Sequence, residues 1–323
     1  MIMKLQHLSK SLCLCAGVAM LAIPVAANAQ LPSLFPQPTA GPQSIAFNFA
    51  TPLALYNSSS DEPGEWYIDR FPPCLFSSME TAPDGTKNTL EESICASALQ
   101  PQGGPPDPGF FNTQGRKYDL VANTTTMSIN LYVPSSWGTT PGRFAGFWGT
   151  AADSTGVIGN DYPIIEFQGP TPSTPVITTG AGFYPNGGVA GFYGWNNAAN
   201  GGNGGWDYIG LPPGFQYNSW VTLTITTVPG TGYEYKVTDA NSRRGVSIQT
   251  PFLDPTETSI VNVILEGYNY GNSYNFFWNN LSFVSSSFQC SPKSTQPPQQ
   301  QGGLFGLLGF LFQQQQQLIN RPW

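Results

Sequence analysis

The sequence predicts an all-β protein, a sandwich or jelly roll, between disordered, Pro/Gln-rich ends. Three observations lead there. First, several segments alternate apolar and polar residues with the period of two that a half-buried strand requires. Second, turn residues separate them at short intervals; the chain holds 36 Gly and 30 Pro. Third, no window from 118 to 285 has a helical period, and no repeat of 20–50 residues is visible, which disfavours a propeller or solenoid.

Taken in order, "TMSINLYV" sets Met127, Ile129, Leu131 and Val133 on one face. "SWVTLTITTV" sets Val221, Leu223 and Ile225 against Trp220, Thr222, Thr224 and Thr226, and "GYEYKVT" follows after "PGTG", so the two read as a hairpin. "RFAGFWGT", "YPIIEFQG", "TPVITTGAGFY", "SIVNVILEGY" and "SYNFFWNNLSFV" supply further strands rich in β-branched and aromatic residues. The only segment open to a short helix is "TKNTLEESICASALQ", where Asn88 or Thr89 could cap and Glu91 and Glu92 would sit in the first turn.

The N-terminus reads as a secretory signal over residues 1–29. Lys4 and Lys10 precede an apolar run that ends in Ala27-Asn28-Ala29, and that run is short for a bilayer span. The mature chain is therefore expected to be secreted, periplasmic or on the cell surface, without a transmembrane span. The Pro-rich segment 30–43 reads as a linker, residues 44–290 as the globular domain, and 291–323 as a low-complexity tail with a short apolar segment at 304–312. That segment, "LFGLLGFLF", is suited to docking on a surface or partner, or to folding back on the sandwich.

Cleavage after Ala29 changes the chemistry available. The single histidine, His7, leaves with the signal, which excludes Ser-His-Asp and Cys-His nucleophile systems and histidine-ligated metals. Of 12 basic residues Lys4 and Lys10 are lost, leaving ten against 19 acidic, a net charge of −9. So acidic a chain, without a basic cluster, is a poor partner for nucleic acid or anionic lipid. Cys74, Cys95 and Cys290 remain. Three thiols form at most one internal disulfide; Cys74 with Cys95 is the local pairing, and Cys290 pairs with either or stays free.

The segments "EWYIDRFPP", "FFNTQGRKYDL", "SINLYVPSSW", "AGFWGTAADSTG", "GLPPGFQYNSWVTLTIT" and "YNFFWNNLSF" together resemble a group of secreted bacterial proteins with a concanavalin A-like (LamG-like) lectin/glucanase jelly roll. The resemblance spans residues 44–286. It implies two curved antiparallel sheets of six or seven strands each, with any ligand on the concave face or the rim loops. The superfamily holds lectins, adhesion modules, laminarinase-type glucanases and polysaccharide lyases, and this group has no assigned activity. The sorting tail common in the group is not matched.

The expected partner is a carbohydrate or cell-surface glycan. Laminarinase-type enzymes carry E-x-D-x-x-E on one strand, whereas no two acidic residues lie two apart in this chain. A carboxylate pair drawn from separate strands is the remaining route to hydrolysis. Glu166 is its leading candidate member, with Asp207 or Asp69 as the second; the alternative is that Glu166 pairs with Arg116 to orient strands. For a lyase, Arg70, Arg116 and Lys117 are the cations, but the family's R-x-E-x-R and Q-I/V-H motifs are missing. As a binding platform, "FYGWNNAANGGNGGWDYIGLPPGF", Phe192 to Phe215, is aromatic and poor in charge. Trp195 and Trp206 flank its Gly/Asn run and offer stacking faces; Asn196, Asn197 and Asp207 offer hydroxyl ligands, with Trp148 and Arg116 as further contacts. Trp148 and Trp220, set within strand patterns, read first as core, whereas Trp195 and Trp206 read equally as core or platform. No cofactor is expected, beyond a conceivable Ca²⁺ site at Asp207 with Asn196 or Asn197.

Overall fold

The computed structural model describes residues 43–96, 113–170, 188–268 and 272–286. The signal 1–29, the linker up to residue 42, Cys290, the tail with its apolar segment 304–312, and the strand expected in "TPVITTGAGFY" lie outside the described residues.

The described chain is an antiparallel β-sandwich of jelly-roll type, as expected. Its strands are β1 (Gln43–Phe47), β2 (Leu55–Tyr56), β3 (Trp66–Ile68), β4 (Leu75–Thr81), β5 (Lys87–Ile94), β6 (Thr113–Val133), β7 (Phe144–Asp153), β8 (Ile164–Gln168), β9 (Gly191–Asn196), β10 (Gly205–Gly210), β11 (Ser219–Val228), β12 (Gly232–Asp239), β13 (Gly245–Pro251), β14 (Glu257–Tyr268) and β15 (Tyr274–Ser285). One face-to-face layer, the front, runs β10-β9-β8-β7-β14-β6-β3-β2; the other, the back, runs β4-β5-β15-β6-β11-β12-β13, with β1 on β15. Strand β6 serves both. Its residues Thr113–Asp119 pair with β14, and Thr124–Val133 pair with β15 and β11.

The alternating segments behave as their pattern dictates. Met127, Ile129 and Leu131 of β6 and Val221, Leu223 and Ile225 of β11 are fully buried between the layers, against Phe147, Ile165, Phe167, Val263 and Leu265 of the front sheet. Their polar neighbours Ser128, Asn130, Thr222 and Thr224 face outward in matching register. The front and back sheets press closely at Gly194, where a Cβ would come within 2.6 Å of the Tyr235 ring.

The helix start considered at Asn88 or Thr89 of "TKNTLEESICASALQ" is not formed. Residues 87–94 are strand β5, paired with β4 and β15. Leu90, Glu92 and Ile94 point inward, and Asn88 sits at φ 58° rather than at a helix cap. Two ladders hold this segment, β4 along Lys87–Ser93 and β15 along Leu90–Ile94, whereas a helix this short is marginal in water.

Cys74 and Cys95 form the disulfide, closing a loop with a sequence separation of 21. It ties the start of β4 to the end of β5. Reduction is expected to cost roughly 3 kcal/mol by loop-closure entropy, read as a lower urea midpoint in reductant; an unchanged midpoint would refute that contribution.

Candidate functional site

Pairing register places the candidate residues before any side chain is considered. Glu266 of β14 lies opposite Gly146 of β7, Gly146 opposite Glu166 of β8, Glu166 opposite Tyr193 of β9, and Tyr193 opposite Tyr208 of β10. Directly opposed residues share a face, so Glu266, Glu166, Tyr193 and Tyr208 form one row across the front sheet, on the side away from the core. The two carboxyls stand two strands apart, about 10 Å between Cα atoms. The intervening glycine is required by sterics, because a Cβ at Gly146 would meet the Trp148 indole nitrogen at 2.4 Å. The adjacent row on the same face carries Ile264, Trp148 and Ile164, and reaches Trp195 and Trp206 at the edge. Phe144, Trp148, Ile164, Tyr193, Trp206, Ile264 and Tyr268 pack there as an apolar cluster separate from the main core.

The row is electrostatically unusual. Glu266 is 1% exposed and pairs with the Arg70 guanidinium at 3.4 Å. Arg70 also holds Asp69 at 3.1 Å, donates to the Thr113 hydroxyl, and lies 5.3 Å over the Trp148 ring. Burial pushes Glu266 up to about 8; Arg70 restrains the rise and Asp69 adds to it. Glu166, also 1% exposed, accepts from the Gln168 amide. Burial lifts it well above the carboxylate range, moderated by Gln168 and Trp148, while the neighbouring Glu266 raises it further. On the core side, Glu92 is likewise buried and raised, mainly by desolvation; it accepts from the Trp278 indole at 2.9 Å. Low dielectric favours the neutral form of each of these carboxyls.

The register also separates residues that the sequence grouped. Arg116 lies opposite Leu265, on the core face, whereas Glu166 faces away from the core. Its guanidinium instead donates to the Tyr56 and Trp66 carbonyls and to Asn57, so the structure does not bring Glu166 and Arg116 together. Asp69 is on the site's face, bridging Arg70 and Lys117. Asp207 lies opposite Gly194, on the other side of the β9–β10 ribbon from Glu166, where Asn196 donates to it at 3.0 Å. Asn197 is buried and exchanges hydrogen bonds with the Tyr162 backbone. Among the described residues no group of three or more His, Cys, Asp or Glu side chains gathers in a metal-ligating set.

Trp195 and Trp206 are cross-strand partners with ring centroids 5.0 Å apart at 70°, an edge-to-face pair rather than a coplanar platform. Trp206 is buried and Trp195 half-buried. Beside them Tyr208 is 38% exposed and contacts Tyr193 at 5.0 Å. Sequence reasoning passed over Tyr193, Tyr208 and Glu266. The signal for Glu266 was present: "VILEGY" and "PIIEFQ" each set one glutamate in an otherwise apolar strand.

Fold and site together define an antiparallel jelly-roll β-sandwich with a line of buried acids and an aromatic edge on its front sheet. No protein-family model and no curated protein sequence matches the chain. Among solved structures it is similar to the alginate lyase Aly36B, at 14% identity and a TM-score of 0.43 over 76% of this chain and 97% of that one. It is also similar to an endo-β-1,4-glucuronan lyase from the fungus Trichoderma reesei (10%, 0.41, 73% and 94%). Lectin I from Ulex europaeus stands at 12% and 0.38, over 75% and 98%. Similarity at this level is one of chain path and says nothing of ligand or reaction.

Proposed function

We propose that the protein is a secreted, non-enzymatic carbohydrate-binding module whose ligand seats on the front-sheet edge formed by β9 and β10. The carrying observation is the set Tyr193, Trp195, Trp206 and Tyr208. These are four aromatics in cross-strand pairs on one face of a terminal ribbon, with Tyr208 and Trp195 reaching solvent. Aromatic faces with a polar handle suit the C–H faces and hydroxyls of a sugar ring. The acidic net charge and the absence of a basic stripe agree with a glycan rather than a nucleic acid. The apolar segment 304–312 would hold the module to a surface or partner.

The test is a glycan array followed by titration of whatever binds. Tyr208→Ala and Trp195→Ala are each expected to weaken binding at least tenfold, about 1.4 kcal/mol. Asp207→Asn, on the opposite ribbon face, is expected to leave affinity unchanged. Absence of binding across a broad array, or binding indifferent to Tyr208, would refute the assignment.

A second reading, glycan cleavage, draws on a specific observation: Glu166 and Glu266 share a face, and burial raises both toward the protonated form that a general acid needs. Both are closed to solvent, and this sets binding ahead of catalysis. Release of reducing ends or of unsaturated uronate, lost in Glu166→Gln, would reverse that order.

A further inference from the structure

We propose that the outer edge of β13 pairs with β13 of a second copy of this chain, joining two back sheets into one continuous antiparallel sheet. Among the described residues the back sheet ends at β13, whose sequence Gly-Val-Ser-Ile-Gln-Thr-Pro carries no charge. Natural edge strands are usually guarded by lysine, inward charge or a central proline; here the one proline, Pro251, is the last residue.

The phase of the ladder shows which groups the edge offers. The Asp239 N–H donates to the Arg244 carbonyl at 2.9 Å, in the frame that pairs Thr238 with Gly245. Bonding alternates along an antiparallel pair. Residues 246, 248 and 250 therefore bond β12, while 245, 247, 249 and 251 turn their backbone groups outward. Two-fold pairing centred on Ile248 sets Ser247 opposite Gln249 of the copy and Gly245 opposite its Pro251. Pro251 lacks only the N–H; its carbonyl accepts from Gly245.

Charge selects this occupant. At the β13 start Arg243 and Arg244 are exposed, and among the described residues neither is in an ion pair. Just past its end lies Asp254, half-buried, with Asp153 near enough to act on it. On β12, Lys236 lies opposite Ser247 and Glu234 opposite Gln249, repeating the same sense. The edge is thus basic at one end and acidic at the other. An antiparallel copy of itself brings unlike charges together, as an isologous interface requires; a parallel copy opposes like charges. The contact is narrower than a standard interface, so association depends on protein concentration.

The test is sedimentation velocity of the full secreted chain from low to high micromolar concentration. Wild type is expected to shift from monomer to dimer. Ser247→Pro removes an outward N–H without touching the β12 ladder and is expected to hold the protein monomeric. The double variant Ser247→Lys/Gln249→Lys, which opposes four lysines without altering the backbone, is expected to do the same, with an unchanged circular dichroism spectrum. A wild type that stays monomeric throughout overturns the proposal. So does a dimer that survives the double lysine variant, because another surface must then join the copies.

Discussion

The protein is expected to be more stable near pH 5 than near pH 8.5. Glu266 is raised to about 8, Glu257 to about 7 and Asp161 to about 6, each mainly by burial, and Glu166 and Glu92 are raised well above the carboxylate range by the same cause. An acid whose folded pKa exceeds its unfolded value contributes fully below the unfolded value and loses that contribution as pH climbs through the folded one. For Glu266 the loss runs from about 4.5 to about 8. Asp153 and Asp254 move the other way, held below the usual range chiefly by hydrogen bonds from Thr155 and Thr256, so their contribution fades only in stronger acid. The melting temperature is expected to fall by roughly 10 °C between about pH 5 and about pH 8.5. Glu166→Gln and Glu266→Gln should each flatten that slope. A stability that is level or rising over the interval, by calorimetry, would refute the account.

Loss of the Arg116 side chain is expected to be the most damaging single change outside the apolar core. The guanidinium is 6% exposed and donates at 2.9 Å to Tyr56, at 3.0 Å to Trp66 and at 2.8 Å to Asn57. It stitches β6 to the segment carrying β2 and β3, and its charge restrains the rise of Glu92. Arg116→Met keeps the length of the stem but strips three acceptors of their donor. Breaking such a buried arrangement costs about 3–5 kcal/mol. Arg116→Lys should recover only part, since one ammonium cannot reproduce the fork. Urea unfolding measures both; a loss under about 1 kcal/mol would mean that water replaces the guanidinium freely.

The same residues show what a sequence reveals and what it hides. Val221, Leu223 and Ile225 alternate with threonines, and that pattern alone fixes which side of β11 is buried. Strand β5 escaped because its inward row is Leu90, Glu92 and Ile94. A buried glutamate breaks the apolar alternation, and with Asn88 before it the segment mimics a helix start. The acid row escaped for another reason. Glu166 and Glu266 are a hundred positions apart, and only the register through Gly146 makes them neighbours. Asp207 was grouped with Trp206 because it is adjacent in sequence, yet adjacency in a strand means opposite faces. Local pattern carries burial; cross-strand register carries the site, and register is set by long-range pairing.

The pairing of β1 with β15 has a mechanical consequence. Gln43, where β1 begins, lies opposite Ser285, where β15 ends. The chain thus enters and leaves this domain at adjoining positions on one sheet edge. Tension applied between the two ends loads the ladder in peeling geometry. Each residue pair from Gln43–Ser285 to Phe47–Leu281 bears the force in turn rather than sharing it. Held from both ends, the domain would yield at this seam first, releasing β1 as slack while the disulfide-tied β4–β5 pair and the front sheet stay folded.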